Sequence, residues 1–319
     1  MGRQKKIDMK RVALLFAALT VLFTATAQEI RKSTHLFAIK DGQELYLDRY
    51  TSPELMGKRP CVIFVFGGGF STGLRDAAKY LQYYDYLVRE GYDVVAIDYR
   101  LGMKGVTDPG VFNAISQFKT TVNMAVEDLY DATKFIIGRA EEWEIDTDHI
   151  VASGSSAGAI TVLQAENGIC NNDPATRVLP DGFNYAGIIS FAGAIFSTSG
   201  KPEWHTSPAP IMFFHGTSDK NVPYDKARLF GIGFYGSGLI ASQLREMRSP
   251  YCFYSVEYED HSLAETPMTD NLEQIGEFLD NYVMGRQNLI TEIHVENLDR
   301  DVRPTSFSIF DYLGSNYGE

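Results

Sequence analysis

The sequence predicts an α/β domain with a mostly parallel central sheet and helices on both faces. Three observations carry that expectation. Short continuous apolar runs recur, among them CVIFVF (Cys61–Phe66), DVVAID (Asp93–Asp98) and PIMFFH (Pro210–His215), which suit strands buried on both faces. Segments of helical period alternate with them, the pattern of strand–helix–strand crossovers. A chain of 319 residues that is 45% hydrophobic can fill one large core.

The elements follow in order. Leu36–Lys40 and Glu44–Tyr50 alternate around Asp41-Gly42 and read as an antiparallel hairpin added to the sheet edge. Cys61–Phe66 is the first buried strand. Ala77–Glu90 reads as a Tyr-rich helix ended by Gly91, before the strand Asp93–Asp98. Val122, Ala125, Val126, Leu129, Ala132 and Ile136 recur at helical spacing. His149–Gly154, Tyr185–Ala192 and Pro210–His215 read as strands, and Tyr224–Arg248 as mostly helical. Cys252–Tyr258 is the last predicted strand, and Leu272, Ile275, Leu279 and Tyr282 mark a closing helix. Residues 101–121 are Gly-rich and irregular, as are 171–184. Loops of that length usually carry function, and a small cap over the site is expected from 101–121, with 171–184 as a second contributor.

Residues 1–27 have the pattern of a signal peptide. Lys5, Lys6, Lys10 and Arg11 precede the apolar run Val12–Phe23, and Ala25-Thr-Ala27 offers small residues for cleavage. The run is short for a membrane span, and no cysteine follows it for lipid attachment. The expectation is a periplasmic or secreted protein with no stable membrane insertion after cleavage. Residues 28–284 are expected to form the one large domain, and 285–319 a polar tail with no assigned role. Without residues 1–27, which hold five basic and one acidic residue, the net charge moves from −12 to −16. Such a surface repels nucleic acid and anionic membranes. Cys61, Cys170 and Cys252 are odd in number and suit neither a zinc site nor a disulfide scaffold. At most one bridge can form, and buried free thiols are the expectation. Neither cofactor nor metal is expected, and oligomeric state is not legible.

SGSSAGA (Ser153–Ala159) contains G-x-S-x-G as Gly154, Ser156 and Gly158. An apolar strand precedes it and an apolar helical stretch follows. That context makes a sharp strand-to-helix turn presenting the middle serine at the C-terminal end of the sheet. Ser155 is the wrong serine, because the turn presents its centre. A serine nucleophile needs a base, and the base an orienting carboxylate. Asp219 lies beyond one predicted strand in HGTSDKNVPY, and His261 beyond the next in YEDHSL. Both sit at C-terminal strand ends, where open α/β sheets place their sites. His215, four residues before Asp219, is read as a prop for that loop. Asp260 is the nearest competitor for the acid, but neighbours on one loop seldom face each other.

With FGGGF (66–70), IDYRLG (97–102), AVEDLYDA (125–132), GSSAG (154–158), HGTSDKNVPY (215–224) and His261 in that order, the chain resembles α/β-hydrolases of the microbial carboxylesterase and lipase type. Acetyl-xylan and feruloyl esterases are among them, and the motifs cover roughly residues 60–283. The resemblance implies the α/β-hydrolase fold and ester hydrolysis through an acyl-enzyme on Ser156, with His261 as base and Asp219 orienting it. It implies an oxyanion hole from the backbone N–H groups of Gly68, Gly69 and Ala157, each donor contributing about 3–4 kcal/mol. It implies an acyl ester substrate, small or glycan-linked, with short acyl chains expected because no long amphipathic lid is visible. Asp98, Tyr99 and Arg100 are expected to brace loops, and Glu127 and Asp128 to anchor a loop or face solvent. A serine peptidase of the same fold and a catalytically inactive binding protein remain as alternatives. The one departure is Phe66, where the family usually has a histidine that braces the glycine loop.

Overall fold

The structure is a computed structural model that describes residues 29–106, 111–229 and 231–307. The predicted signal peptide therefore lies outside the described residues. The main sheet has nine strands: β1 (Arg31–Lys40), β2 (Gln43–Thr51), β3 (Arg59–Val65), β4 (Asp93–Ile97), β5 (Ile145–Ser155), β6 (Gly187–Phe191), β8 (Ile211–Gly216), β11 (Tyr251–Val256) and β12 (Ile290–Val295), in spatial order β1-β2-β4-β3-β5-β6-β8-β11-β12. From β4 onward every pairing is parallel. Only the N-terminal hairpin β1–β2 and its junction with β4 are antiparallel. The hairpin turns at Asp41 and Gly42, both with positive φ, as Asp-Gly turns favour.

Helices cover the sheet: α1 (Leu81–Arg89), α2 (Val111–Gly138), α3 (Ala157–Cys170), α4 (Ser237–Met247) and α5 (Leu272–Phe278). The inner strands β3, β4, β6 and β8 are buried along nearly their whole length. That is why they read as unbroken apolar runs rather than alternating ones. Cys61, Cys170 and Cys252 are buried free thiols.

Three sequence expectations are corrected. Residues 101–121 are irregular only at their start, because α2 begins at Val111. Phe118 already faces the core there, one turn before Val122, where the helical period becomes legible; the glycines just before the helix masked its first turns. Tyr224–Arg248 is not mostly helical. It starts with β9 (Lys226–Leu229) and β10 (Ile232–Gly236), which join β7 (Ala194–Ser197) in a second, antiparallel sheet of order β7-β10-β9. Gly233 is needed there, since a Cβ would lie 2.0 Å from the carbonyl oxygen of Ala227. The tail also carries an element: β12 pairs in parallel with β11.

The expected cap is not seen among the described residues: none of 101–121, of 171–184 or of the second sheet lines the cleft over Ser156. The three-stranded sheet stands at the C-terminal edge of the main sheet and packs on α2 through Phe118, whose ring lies 5.0 Å from Phe196 and 5.1 Å from Phe234. Phe118 also meets Phe70 of the glycine-rich loop at 5.4 Å. Residues 171–184 follow the far end of the 14-residue helix α3, about 20 Å from Ser156 by helical rise.

Candidate active site

Ser156 occupies the turn between β5 and α3 with φ 50° and ψ −112°. Such a conformation costs a non-glycine residue on the order of 1–3 kcal/mol. The surroundings hold it. Ser156 N–H donates to Phe191 O at 2.9 Å. A Cβ on Gly154 would lie 2.3 Å from Gly158 O, and one on Gly158 would lie 1.9 Å from Val65 O. The two motif glycines are thus the places where the turn folds on itself and on the end of β3.

The turn delivers its hydroxyl to His261. His261 Nε2 lies 2.8 Å from Ser156 Oγ, and His261 Nδ1 lies 2.6 Å from Asp219 Oδ2. Asp219 is buried, and its other oxygen accepts from the N–H groups of Asn221 at 2.7 Å and Val222 at 2.9 Å. Burial alone raises a carboxylic acid's pKa. At Asp219 the charges and hydrogen bonds of His261 and His215 outweigh it and hold the carboxyl well below the usual range. Asp219 is therefore a fixed anion.

His215 props the Asp219 loop, as its position suggested. Fully buried, it sets Nε2 3.2 Å from Val222 O and 3.3 Å from Asp219 Oδ2, with Nδ1 2.8 Å from Ser237 Oγ. Asp260 does not reach His261. It accepts from Ser262 N–H at 3.0 Å and from Arg303 at 2.9 Å. Ser155 points away from Ser156 and donates to Ala264 O at 2.8 Å, tying the nucleophile turn to the short helical turn His261–Ala264.

The glycine-rich loop lies opposite. A Cβ on Gly67 would stand 3.2 Å from the Cβ of Ser156, so the backbone comes that close only without side chains. Gly68 and Gly69 both take positive φ. The Gly67 N–H donates to the hydroxyl of Tyr80 at 3.2 Å. Those of Gly68, Gly69 and Ala157 have no hydrogen-bond partner among the described residues. Phe66 is buried beneath, its ring 4.6 Å from that of Tyr99. Tyr99 donates to Phe66 O at 2.9 Å. Arg100 reaches Asp128, Glu127 and Asp41, while Asp98 accepts from Tyr46 N–H and Arg75. These are the braces expected of Asp98–Arg100, and Asp128 is a buried anchor.

A cleft of about 460 Å³ opens over Ser156, lined by Gly67–Gly69, Ser71, Lys79, Asn221, His261 and Ser262–Thr266 without Leu263. Among the described residues no cluster of three or more His, Cys, Asp or Glu side chains could hold a metal, and no helix is long and apolar enough to cross a membrane. Sequence reading missed Tyr80 and Arg303, whose contacts depend on how distant loops close.

The architecture has solved counterparts. Esterase 2 of Thermogutta terrifontis superposes with a TM-score of 0.58 at 21% identity, covering 83% of this chain and 96% of that one. The fold is that of the α/β-hydrolases. A second structure of that esterase, phosphorylated by paraoxon, matches at a TM-score of 0.59 and 20% identity, covering 81% of this chain and 95% of the other. Residues 47–179 match a family model described as BD-FAE. The Fumonisin B1 esterase of Sphingopyxis macrogoltabida is 33% identical over 119 residues, 36% of this chain and 21% of that protein. Gut esterase 1 of Caenorhabditis briggsae is 29% identical over 129 residues, 40% of this chain and 22% of that protein. The chain thus spans about a fifth of the length of the curated relatives it matches. The resemblance to microbial carboxylesterases seen in the motifs extends to these matches.

Proposed function

We propose that the protein is a serine carboxylesterase that hydrolyses short-chain acyl esters through an acyl-enzyme on Ser156. One observation carries the reading: the unbroken hydrogen-bonded chain from Asp219 through His261 to a serine held in strained backbone geometry. His261 takes the Ser156 proton as Oγ attacks the ester carbonyl. The tetrahedral oxyanion sits against the N–H groups of Gly68, Gly69 and Ala157, and His261 then protonates the departing alcohol. Water activated by His261 releases the acid. Asp219 stays ionised throughout and stabilises the imidazolium. The names of the esterase relatives support the same chemistry.

The cleft lining supports short or polar acyl groups. Around Ser156 it is glycine, serine, threonine, asparagine and a Lys79–Glu265 ion pair, with no large apolar side chain among the described residues. A long acyl chain would gain little burial there. A polar rim also suits an ester on a glycan, and the leader-like residues 1–27 support an exported enzyme acting on acetylated or feruloylated polysaccharide.

The test compares the wild type with Ser156→Ala on nitrophenyl esters of increasing acyl length, then on acetylated xylan and methyl ferulate. Expected are a fall in kcat/KM beyond short chains, loss of turnover in Ser156→Ala, and a covalent paraoxon adduct on Ser156 by mass spectrometry. Turnover retained in Ser156→Ala overturns the nucleophile, and preference for long chains overturns the short-chain reading.

A further inference from the structure

The chain beyond β12 returns to the loops that carry Asp219 and His261. The reason is topological. β8, β11 and β12 run in parallel, so all three deliver their following segments to the same edge of the sheet. Asp219 follows β8, His261 follows β11, and residues 296–307 follow β12.

Four polar contacts join the returning segment to both loops. On the acid side, Ser218 Oγ donates to Arg303 O at 3.4 Å and Lys220 Nζ donates to Ser306 O. These residues flank Asp219. On the base side, Arg303 Nη1 donates to Asp260 Oδ2 at 2.9 Å, and Arg300 pairs with Glu259. These two carboxylates immediately precede His261 and shape its turn. Glu259 Oε1 accepts from Ser262 Oγ at 3.0 Å and Asp260 Oδ1 accepts from Ser262 N–H at 3.0 Å. Burial does not explain why the segment lies there: Leu298 and Val302 are 87% and 78% exposed, and Phe307 packs against the core only in part.

We propose that residues 297–307 are a strap that fixes the acid and base loops relative to each other, with Arg300 and Arg303 as positioning residues for the His261–Asp219 pair. This rests on reading Ser156, His261 and Asp219 as a triad. Arg303 is the centre of the device, because its carbonyl holds the Asp219 loop while its guanidinium holds the His261 loop. A shift of about 1 Å between base and nucleophile can lower turnover as much as a hundred-fold. The strap therefore acts on kcat rather than on ester binding.

The experiment uses the full chain. In an Arg300→Ala/Arg303→Ala variant, kcat on nitrophenyl acetate falls about ten-fold or more while KM stays within about two-fold. Arg300→Lys/Arg303→Lys recovers most of the loss. Melting temperature is measured on each variant. Proton NMR reads the downfield signal of the proton between His261 and Asp219, which broadens or disappears in the alanine variant. Unchanged kcat with an intact signal overturns the strap. So does a parallel loss of melting temperature, kcat and KM with the signal intact, which marks general destabilisation. Failure of the triad reading shows separately, as absence of ester turnover and of the paraoxon adduct in the wild type. The NMR comparison still decides the strap in that case.

Discussion

Phe66 sits where the resemblance to carboxylesterases implies a bracing histidine, and the structure shows an apolar brace there. Its ring packs on Tyr99, and a Cβ on Gly73 would lie 2.5 Å from the Phe66 ring. The loop turns over the ring between these two contacts. Its backbone is also pinned, by Tyr99 to Phe66 O and by Tyr80 at Gly67 N–H. Phe66→Ala is expected to cost about 3–5 kcal/mol of stability and to lower kcat more than KM, because Gly68 and Gly69 lose their fixed position. Thermal melts and ester kinetics on the folded variant check this; unchanged melting temperature and turnover would falsify it. The glycines and the departure at Phe66 were legible as letters. Tyr80 was not, since its bond to Gly67 depends on closing a 13-residue loop that no local pattern encodes.

Helix α3 shows what the sequence conceals at the scale of an element. Its apolar residues spread round the whole circumference, which marks a buried helix, yet Glu166 lies in its middle, fully buried. Oε1 accepts from Ala209 N–H at 2.7 Å and Asn184 at 3.1 Å, while Oε2 has no hydrogen-bond partner among the described residues. Burial, only partly offset by those hydrogen bonds, raises its pKa from 4.5 to about 6. The folded state thus holds this proton more tightly than the unfolded chain. Stability from this group is complete below pH 4.5 and is lost as pH rises through 6, a difference on the order of 2 kcal/mol. Glu166→Gln should flatten the melting temperature between pH 4.5 and 7, read by thermal melts across that range. An unchanged pH slope would count against the buried titration. The misread elements have a related cause. Residues 224–236 mix glycines with aromatics, so neither a strand nor a helix period dominates, and only pairing with β7 decides for strands. The first turns of α2 were hidden for the same reason by glycines just before them.

Across the whole molecule, a structural ion network and the reacting side chains occupy opposite ends of one sheet. The parallel core, its helices and the Ser–Asp–His order were legible because each rests on a local run or motif. The tail strand and the second sheet were not, because their residues gain order only from partners far along the chain. The division between the ends is visible in two buried aspartates. Asp93 opens β4 at the N-terminal edge and accepts from Arg49 at 2.6 Å, Thr51 at 2.6 Å and Arg59 at 3.0 Å. The same two arginines reach Trp143 O at 3.0 and 2.6 Å, so this one carboxylate joins β2, β3 and β4 to the segment before β5. Asp219 lies at the other edge, and its carboxylate meets two N–H groups of its own loop and two histidines. Removing Asp93 leaves the buried Arg59 and the part-buried Arg49 short of an anion, which costs about 3–5 kcal/mol. Asp93→Ala is therefore expected to lower the melting temperature sharply, while the fraction still folded keeps wild-type kcat. Asp219→Asn preserves the shape and removes the charge that orients His261, so kcat should fall on the order of 10³–10⁴-fold with a much smaller change in melting temperature. Measuring both quantities on both variants tests the division. A large kcat loss in folded Asp93→Ala would mean that the two ends of the sheet are mechanically coupled.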